Sequence, residues 1–327
     1  MYPKVYIGPM SKNIVDAIIE FSDETGNKIG LIPSRRQVEY DGGYVNNWTT
    51  EDFSDYSNKT KKSVLLLKRD HSGPGQGYSD DDGYESLKED CKHLHLIHID
   101  PWKKYPKYKD GLKWTIDMIK FCYNQNPSIE YEVGTEESIR KFDANTLDRL
   151  IMDLQVYLGR PIYDQIKYLV IQSGTSLKGN NNTGTYDKDR LVSMVKVAKS
   201  YNLLSKEHNG DYLPVELIKE KFQLGLDAIN IAPEFGQIET KVYLQKIKKE
   251  RPELFGKLHN LCYISGRWKK WVNGNFDPHK NKEELINICG HYILSNKNFI
   301  NDIKTQFPGI DSEIKENIKL KLKELYE

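Results

Sequence analysis

The sequence predicts an α/β fold, a (β/α)8 TIM barrel with a helical C-terminal extension. Eight short apolar runs recur along the first 240 residues, and helix-like patterns separate most of them. Each run has four to six residues, and most are rich in Val, Ile and Leu, as is typical of parallel strands buried on both faces. Alternation of strand and helix eight times over is the pattern of this barrel. A doubly wound sheet is the alternative, but it would leave strands unused.

Each element follows from a local pattern. The predicted strands are Val5–Gly8, Ile29–Pro33, Val64–Leu67, Leu94–Ile99, Ile129–Val133, Tyr168–Ile171, Tyr201–Leu204 and Ala228–Ile231. The predicted helices, which repeat apolar residues at helical spacing, are Ser11–Ser22, Leu112–Asn124, Thr146–Leu158, Asp189–Ser200 and Pro214–Leu224. Gly159 is the stop signal of the third helix, and Asp189 is the predicted cap of the fourth.

The strand signal stops at Thr240, and only helical patterns follow. These patterns are Tyr243–Lys249, Pro252–Val272, Lys282–Ile303 and Ser312–Tyr326. A barrel of about 250 residues leaves roughly 77 of the 327 residues to explain, which agrees with an appendage of this size. We therefore predict a barrel over residues 1–240 and a helical extension over 241–327, rather than two independent domains.

The charge balance excludes several classes of protein. Lys and Arg total 48 and Asp and Glu total 47, so the formal net charge is +1, which disfavours nucleic-acid binding. No run reaches about 18 apolar residues, so we expect no membrane association. The four cysteines lie far apart, and the amino terminus lacks the layout of a signal peptide. Buried thiols in a cytoplasmic protein are the expectation, and we also expect a homo-oligomer.

Polar residues that could bind a metal follow several predicted strands. Such barrels carry their active sites at the C-terminal ends of the strands. The candidate ligands there are His71, His98, Glu132 and His208, with Asp70, Asp100 and Glu136 nearby. Imidazole together with carboxylate suits zinc or another divalent transition metal. For His98 a buried structural role and a ligand role are both open, because it lies along a buried strand.

A glycine-rich run, Gln172–Gly184, is the candidate anion site. Backbone N–H groups in glycine turns can surround an anion, and Thr175, Ser176 and Lys178 could add donors. A plain surface loop is the alternative interpretation. Arg35 and Arg36 are adjacent, so we expect only one of them to point inward, where an arginine would suit a sugar phosphate.

Several motifs resemble one known family. In chain order they are Ser34-Arg-Arg-Gln-Val38, Asp41-Gly-Gly-Tyr44, Thr49-Thr-Glu-Asp-Phe53, Asp70-His-Ser-Gly-Pro74, Ile97-His-Ile-Asp100, Val133-Gly-Thr-Glu136, Gln172-Ser-Gly174, Glu207-His-Asn-Gly-Asp-Tyr212 and Trp268-Lys-Lys-Trp271. The sequence here resembles the accessory, so-called non-catalytic, subunits of class II D-tagatose-1,6-bisphosphate aldolase. That family is similar to class II ketose-bisphosphate aldolases, which are metal-dependent TIM barrels.

The resemblance implies roles for individual residues. Asp70 matches the acid/base that moves the proton of the C4 hydroxyl, and His71 and His208 match metal ligands. Glu132 matches a metal-site carboxylate, Asn230 matches a residue that holds the substrate, and Gln172 stands where class II aldolases have a third metal histidine. The complete prediction is Asp70 and Glu136 as catalytic residues; His71, His208, Glu132 and Gln172 as ligands of a divalent metal, zinc first; and Ser34, Arg35, Asp100, Gly174, Thr175, Ser176, Asp211 and Asn230 as substrate or phosphate contacts.

Two functions are compatible with this set. The first is a metal-dependent aldolase or C4 epimerase that acts on a ketose phosphate by retro-aldol cleavage. The second is an accessory subunit that binds and stabilises a separate class II aldolase catalytic subunit. Gln172 in place of a histidine favours the second, whereas the joint presence of Asp70, His71, Glu132 and His208 favours the first, because an inactive subunit has no chemical need of them.

Overall fold

The predicted barrel is confirmed. The computed structural model describes residues 2–59, 65–296 and 305–327. Eight strands form the barrel: β1 (Val5–Ile7), β2 (Ile29–Leu31), β3 (Leu65–Ser72), β4 (Leu96–Ile99), β5 (Glu130–Val133), β6 (Ile166–Ile171), β9 (Leu204–Glu207) and β10 (Ala228–Ile231). They are parallel and close in the order β1-β10-β9-β6-β5-β4-β3-β2. A short hairpin of β7 (Leu177–Lys178) and β8 (Asn181–Asn182) follows β6.

Two strands differ from their predicted positions in ways that matter for the site. The third strand was predicted at Val64–Leu67, but it runs on to Ser72; Val64 itself lies outside the described residues. The seventh was predicted at Tyr201–Leu204, yet only Leu204 belongs to β9. Tyr201 caps the preceding helix, and Asn202 has a left-handed φ of 58°, so the chain turns there before the strand begins.

Helices surround the barrel. They are α1 (Lys12–Thr25), α2 (Thr50–Ser57), α3 (Tyr84–His93), α4 (Tyr108–Gln125), α5 (Ala144–Leu158), α6 (Arg160–Tyr163), α7 (Lys188–Ser200) and α8 (Val215–Gln223). The predicted cap of α7 was wrong by two positions. Asp187, not Asp189, accepts a hydrogen bond from the backbone N–H of Arg190 and begins the helix.

Large side chains fill the barrel interior. Tyr6 is fully buried, and its hydroxyl donates a hydrogen bond of 2.9 Å to the hydroxyl of Tyr168. Position 30 on the neighbouring strand must be glycine, because a Cβ there would lie 1.9 Å from the Tyr6 ring. The interior is therefore a packed core at this level and not a pore.

The C-terminal part of the chain is helical and packs against the barrel. Its helices are α9 (Pro233–Glu250), α10 (Glu253–Ser265), a 3-10 turn (Arg267–Trp271), α11 (Lys282–Leu294) and α12 (Ile310–Tyr326). The predicted helix Lys282–Ile303 ends at Leu294 as α11, and residues 297–303 lie outside the described ranges. Helix α9 passes through residue 240, so the boundary between barrel and extension stays a prediction.

Helix α12 packs on α1 and α9. Its residues Ile314, Ile318 and Leu322 are fully buried in the same apolar core as Ile14 of α1. In the described part of the chain, none of the helices combines the length and the apolar character needed to cross a lipid bilayer.

Candidate metal centre and its pocket

A cavity of about 250 Å³ opens at the C-terminal ends of the barrel strands. Its walls come from residues that follow β1, β2, β5, β9 and β10, from the end of β3, and from the helical extension. Among the lining residues are Ser34, Arg36, Asp70, His71, Glu136, His208, Asp211, Asn230, Lys270, Trp271 and Tyr292. The structure thus brings residues from distant parts of the chain into one pocket.

Four side chains at this pocket form a cluster that could hold a metal ion. Asp70, His71, His98 and His208 each direct one ligand atom into a space where all four atoms lie within 4.8 Å of one another. Asp70 and His71 are consecutive residues of β3, so a regular strand would point them to opposite faces. The pairing of β3 with β4 shifts between Arg69 and Ser72, and His71 has a φ of 46°. This bulge lets both side chains face the site.

Carboxylates orient two of the histidine rings. The Nδ1 atom of His71 lies 2.6 Å from Asp100, and the Nε2 atom of His208 lies 2.8 Å from Glu132. A carboxylate can only accept, so each of these nitrogens carries the ring proton. The other nitrogens, Nε2 of His71 and Nδ1 of His208, face each other in the cluster and lie 3.3 Å apart.

One proton is enough to join these two nitrogens. Although burial favours the neutral form, Asp70 and Asp100 raise the pKa of His71 to about 10, so its ring is protonated at neutral pH and its Nε2 atom can donate to Nδ1 of His208. A divalent cation that binds here would take the place of this proton. Zinc binds imidazole nitrogen at about 2.0–2.1 Å, and tetrahedral ligands at that length are about 3.3 Å apart. The observed separation of the two nitrogens fits this geometry.

His98 also belongs to the cluster, but both of its nitrogens have partners. Its Nε2 atom donates to the carbonyl of Gly134 at 3.0 Å, and its Nδ1 atom accepts the backbone N–H of His71 at 3.3 Å. Burial lowers the pKa of His98 to about 3, so the ring is neutral. The sequence left both a structural role and a ligand role open for His98. In the structure its ring lies at the site and holds the backbone of His71.

Glu132 lies below the cluster rather than in it. Its Oε1 atom accepts from Lys68 at 2.7 Å as well as from His208, and Lys206 lies 3.3 Å from its Oε2 atom. Glu132 and both lysines are fully buried. Burial opposes ionisation, but the two lysines and His208 hold the pKa of Glu132 well below its usual range. The carboxylate is thus fixed in its charged form and holds His208 in one tautomer.

Asp70 is the carboxylate that faces the pocket. Its Oδ1 atom accepts a hydrogen bond of 3.2 Å from the amide of Asn230, and Lys68 lies 3.9 Å away. Burial opposes ionisation here too, yet the neighbouring His71, His208 and Lys68 lower the pKa of Asp70 to about 2. Asp70 is therefore an ionised acceptor beside the histidine cluster.

Gln172, a predicted metal ligand, is not brought to the cluster. Its amide nitrogen donates to the carbonyls of Thr135 and Arg140, and its oxygen accepts from the backbone N–H of Phe142 and from Arg190. These four hydrogen bonds use the whole amide to tie loops together. Position 172 follows β6 as predicted, but the side chain turns towards α7 and the loop before α5.

Arg35, a predicted phosphate contact, is also placed elsewhere. It is buried and forms ion pairs with Glu39 at 2.6 Å and Asp81 at 2.7 Å. With its charge neutralised, it is not presented to the pocket. The adjacent Arg36 lines the pocket instead, as expected if only one of the pair points inward.

The glycine-rich run makes little contact with the pocket. Gly174 has a left-handed φ of 95°, and a Cβ there would lie 2.0 Å from a backbone oxygen of Thr185. Thr175 is buried and donates to the carbonyl of His208, while the backbone N–H of Ser176 is turned to Asn182. In this run only Leu177 lines the cavity. Gly174, Thr175 and Ser176 therefore shape the wall behind His208 and do not form an open anion site.

Two predicted contacts, Asp100 and Asp211, and the predicted catalytic residue Glu136 have hydrogen-bond partners within the protein. Asp100 holds His71, as described. Asp211 lines the pocket, but its Oδ1 atom accepts the backbone N–H groups of Ala232 and Glu234 at the start of α9. Glu136 lines the pocket and accepts a hydrogen bond of 2.6 Å from Asn209. Ser34 and Asn230 line the pocket as predicted.

Sequence reasoning missed Lys206 and the contribution of the extension. Lys206 falls outside the strand predicted at Tyr201–Leu204, so its inward direction could not be recognised. Once β9 is placed at Leu204–Glu207, alternation points Leu204 and Lys206 inward together. Lys270, Trp271 and Tyr292 were not predicted as pocket residues, because nothing local to a helical segment shows which barrel end it covers.

The sequence matches no family model and no curated protein. Its fold is similar to that of several solved structures. A probable tagatose 6 phosphate kinase from Sinorhizobium meliloti 1021 is 14% identical, with a TM-score of 0.75 over 99% of each chain. The YdjI aldolase from Escherichia coli K12 is 12% identical, with a TM-score of 0.58 over 96% of this chain and 94% of that one.

A fructose-bisphosphate aldolase from Campylobacter jejuni is also similar. It is 10% identical, with a TM-score of 0.58 over 99% of this chain and 90% of that one. At such low identity the likeness concerns the backbone. It shows that the chain, barrel and extension together, has the same fold as these proteins.

Proposed function

We propose that the protein is a divalent-metal-dependent enzyme that cleaves, or cleaves and re-forms, a carbon–carbon bond of a ketose phosphate. The observation that carries the proposal is the pair of carboxylate-oriented histidines, His71 and His208, whose remaining nitrogens face each other at 3.3 Å beside ionised Asp70. His71, His208 and Asp70 would hold the metal or its substrate, with His98 beside them. Zinc is the first candidate because of the nitrogen-rich donor set.

A divalent cation held here would polarise the ketone and stabilise the negative charge that develops on its oxygen when the bond breaks. The chain's own groups perform the proton transfers. Asp70 is positioned to accept the proton of the hydroxyl on the carbon that becomes an aldehyde, and Asn230 holds the Asp70 carboxylate in place. Glu136, on the wall of the same pocket, is the second proposed proton carrier.

Aldolase and C4-epimerase activity share these first steps. If the aldehyde fragment leaves, the reaction is cleavage; if it rotates and adds back, the product is an epimer. The retention of the fragment by the pocket decides between them, and trapping of free triose phosphate distinguishes the two outcomes.

The accessory-subunit alternative keeps one argument from the sequence, namely Gln172 in place of a histidine. Gln172 is hydrogen-bonded away from the cluster, so the donor set rests on His71, His208 and Asp70, with His98 beside them. A catalytic partner subunit, a homo-oligomer and a cytoplasmic location stay predictions.

Metal analysis followed by a substrate screen tests the proposal. Purified protein should contain close to one divalent metal per chain, and His208→Ala should lose it. His279→Ala, which changes an exposed histidine of the extension, is the matched control and should keep the metal. Wild-type protein that holds no metal and takes up neither zinc, cobalt nor manganese would contradict the proposal.

Ketose mono- and bisphosphates are then screened for release of triose phosphate and for C4 epimers. Asp70→Asn should abolish turnover, because the amide cannot accept the hydroxyl proton. Metal-loaded protein that converts no ketose phosphate by either route, alone or with a class II aldolase catalytic subunit, would reject the catalytic role. Stimulation of such a subunit without turnover of its own would instead favour the accessory role.

A further inference from the structure

A second cavity, of about 270 Å³, lies beside the first and is lined by cationic side chains. The cations are Arg36 from the loop after β2, and Arg267, Lys269 and Lys270 from the 3-10 turn of the extension. Arg36, Lys270 and Tyr292 line both cavities, so they form the wall that the two share. A ligand in the first pocket can therefore reach the cations of the second.

Among the residues that the structure describes, these cations have no carboxylate in an ion pair with them. Over residues 2–59, 65–296 and 305–327, neither Arg36 nor Arg267 nor Lys270 forms an ion pair, whereas the adjacent Arg35 forms two. The Nε atom of Arg36 donates to the carbonyl of Gly77 at 3.2 Å, which leaves its terminal nitrogens for other acceptors. Arg267 packs over the rings of Tyr44, Tyr78 and Tyr292 at 4.8–5.2 Å.

The positive charges also act on one another. Although Lys270 is exposed as a residue, desolvation of its ammonium group and the charges of Arg36 and Arg267 lower its pKa to about 8. Burial, Arg36 and Lys270 likewise lower the pKa of Lys103. The carboxylate of Glu136 raises the pKa of Lys270, but by less than burial and the two arginines lower it. A cluster of like charges beside a cavity is stabilised by a bound anion.

We propose that this second cavity is a phosphate-binding subsite formed jointly by the barrel and the extension. Arg36 and Lys270 contact the phosphate of a phosphorylated ketose whose carbonyl end lies at the histidine cluster, and Arg267 adds charge from behind. The guanidinium of Arg36 can pair two phosphate oxygens, and the ammonium of Lys270 adds a third contact. The identity of the phosphate carrier rests on the proposed function; the anion site rests on the cavity and its unpaired cations.

Isothermal titration calorimetry of the purified protein tests the subsite with three probes: fructose, fructose 6-phosphate and inorganic phosphate. Arg36→Gln and Lys270→Gln should each weaken binding of fructose 6-phosphate about tenfold or more, because each removes a charge-assisted hydrogen bond. Neither change should alter the affinity for fructose or the metal content. Lys270→Arg, which keeps the charge, should restore most of the affinity.

Lys257→Gln on α10 is the control, since Lys257 is exposed and forms no ion pair with any described residue. Equal affinity of the wild type and both glutamine variants for fructose 6-phosphate would overturn the subsite. So would equal affinity of the wild type for fructose and fructose 6-phosphate. Binding of inorganic phosphate alone, without a gain for the phosphorylated sugar, would overturn the role in substrate recognition.

The subsite and the proposed function can fail separately. Charge-dependent binding of fructose 6-phosphate by a protein without turnover or metal would retain the subsite and reject the enzyme. Turnover of a ketose phosphate with unchanged KM in Arg36→Gln and Lys270→Gln would retain the enzyme and reject the subsite.

Discussion

Single buried charges determine how the site is held together. Glu132 illustrates this, because it is fully buried yet ionised, with Lys68 and Lys206 on either side and His208 above it. A buried carboxylate without partners would be costly, so Glu132 can stay ionised only because the lysines lie next to it. In turn, its charge keeps the proton of His208 on Nε2 and leaves Nδ1 free for the cluster.

Glu132→Gln should therefore lower both the affinity for the proposed metal and the stability of the fold. Loss of an outer carboxylate partner lowers metal affinity by about 10–100-fold in comparable sites. Buried Lys68 without its counter-charge should also cost about 3–5 kcal/mol of stability. Competition with a metal chelator and urea denaturation measure the two effects. Glu130→Gln, on the same strand but only half buried, should change neither by more than a small fraction.

Gln172→His tests whether position 172 can act as a ligand position. The structure uses all four hydrogen-bonding positions of the Gln172 amide in loop contacts. We expect the histidine to leave metal content unchanged and to lower the free energy of unfolding by about 1–3 kcal/mol, because buried backbone groups lose partners. Gln223→His, at an exposed position near the end of α8, is the control. A gain in metal affinity would contradict the assignment.

At the residue scale, the sequence predicted which residues reach the pocket better than it predicted what they contact. The C-terminal ends of the strands lie at one end of the barrel, and this brings together Asp70, His71, His208 and Asn230. The choice between Arg35 and Arg36 was not predictable, since it depends on Glu39 and Asp81, which reach Arg35 through a turn and a distant loop. Long-range ion pairs of this kind leave no local pattern.

At the level of elements, the bulge in β3 and the start of α9 position the pocket. The bulge presents consecutive residues, Asp70 and His71, to one side. Helix α9 begins beside the pocket, and Asp211 accepts its first free N–H groups, those of Ala232 and Glu234. A pocket carboxyl group thus also acts as a helix cap.

Asp211 should make stability depend on pH. Burial and the charge of Glu234, acting against hydrogen bonds from the backbone, raise the pKa of Asp211 from 3.8 to about 8. Between those values the folded chain keeps a proton that the unfolded chain releases, so stability should fall as pH rises. Asp211→Asn keeps the capping oxygen and removes the titration. In urea denaturation, the wild type should lose stability relative to the variant between about pH 5 and pH 8.

The control for this comparison is Asp187→Asn, which changes the exposed cap of α7. Its stability difference from the wild type should not show the same decline over that range. A wild type and an Asp211→Asn variant with parallel pH profiles would refute the raised pKa.

The positions of the elements were predictable to different degrees. Seven of the eight strands were recognised, because buried parallel strands form continuous apolar runs. The seventh prediction, Tyr201–Leu204, shares only Leu204 with β9, because the rest of that strand is polar. The extent of β3 was not recognised either, since Lys68, Arg69, Asp70 and His71 are charged or polar and read as a loop. Such residues remain in a strand only because a closed barrel places their partners opposite them, and this information is not local.

At the level of the whole molecule, barrel and extension share one core. Ile314, Ile318 and Leu322 of α12 are buried with residues of α1 and α9. Lys270, Trp271 and Tyr292 of the extension complete the pocket. The predicted division at residue 240 can therefore be tested by asking whether the barrel and the extension unfold in one transition or in two.

Ile318→Ala should destabilise the entire chain by about 2–5 kcal/mol, because it leaves a cavity between α12 and the barrel helices. We expect one unfolding transition that shifts as a whole in calorimetry. Leu320→Ala on the same helix is the control, since Leu320 is 57% exposed and should change stability by less than about 0.5 kcal/mol. A separate early transition, with the barrel transition unchanged, would show that the extension is an independent domain.

The contact between α1 and α12 joins the two ends of the described chain. Lys319 lies 2.8 Å from Glu24, and the hydroxyl of Tyr326 donates to the carbonyl of Lys28. During synthesis on the ribosome, the apolar face of α1 that packs on α12 stays uncovered until α12 has been made.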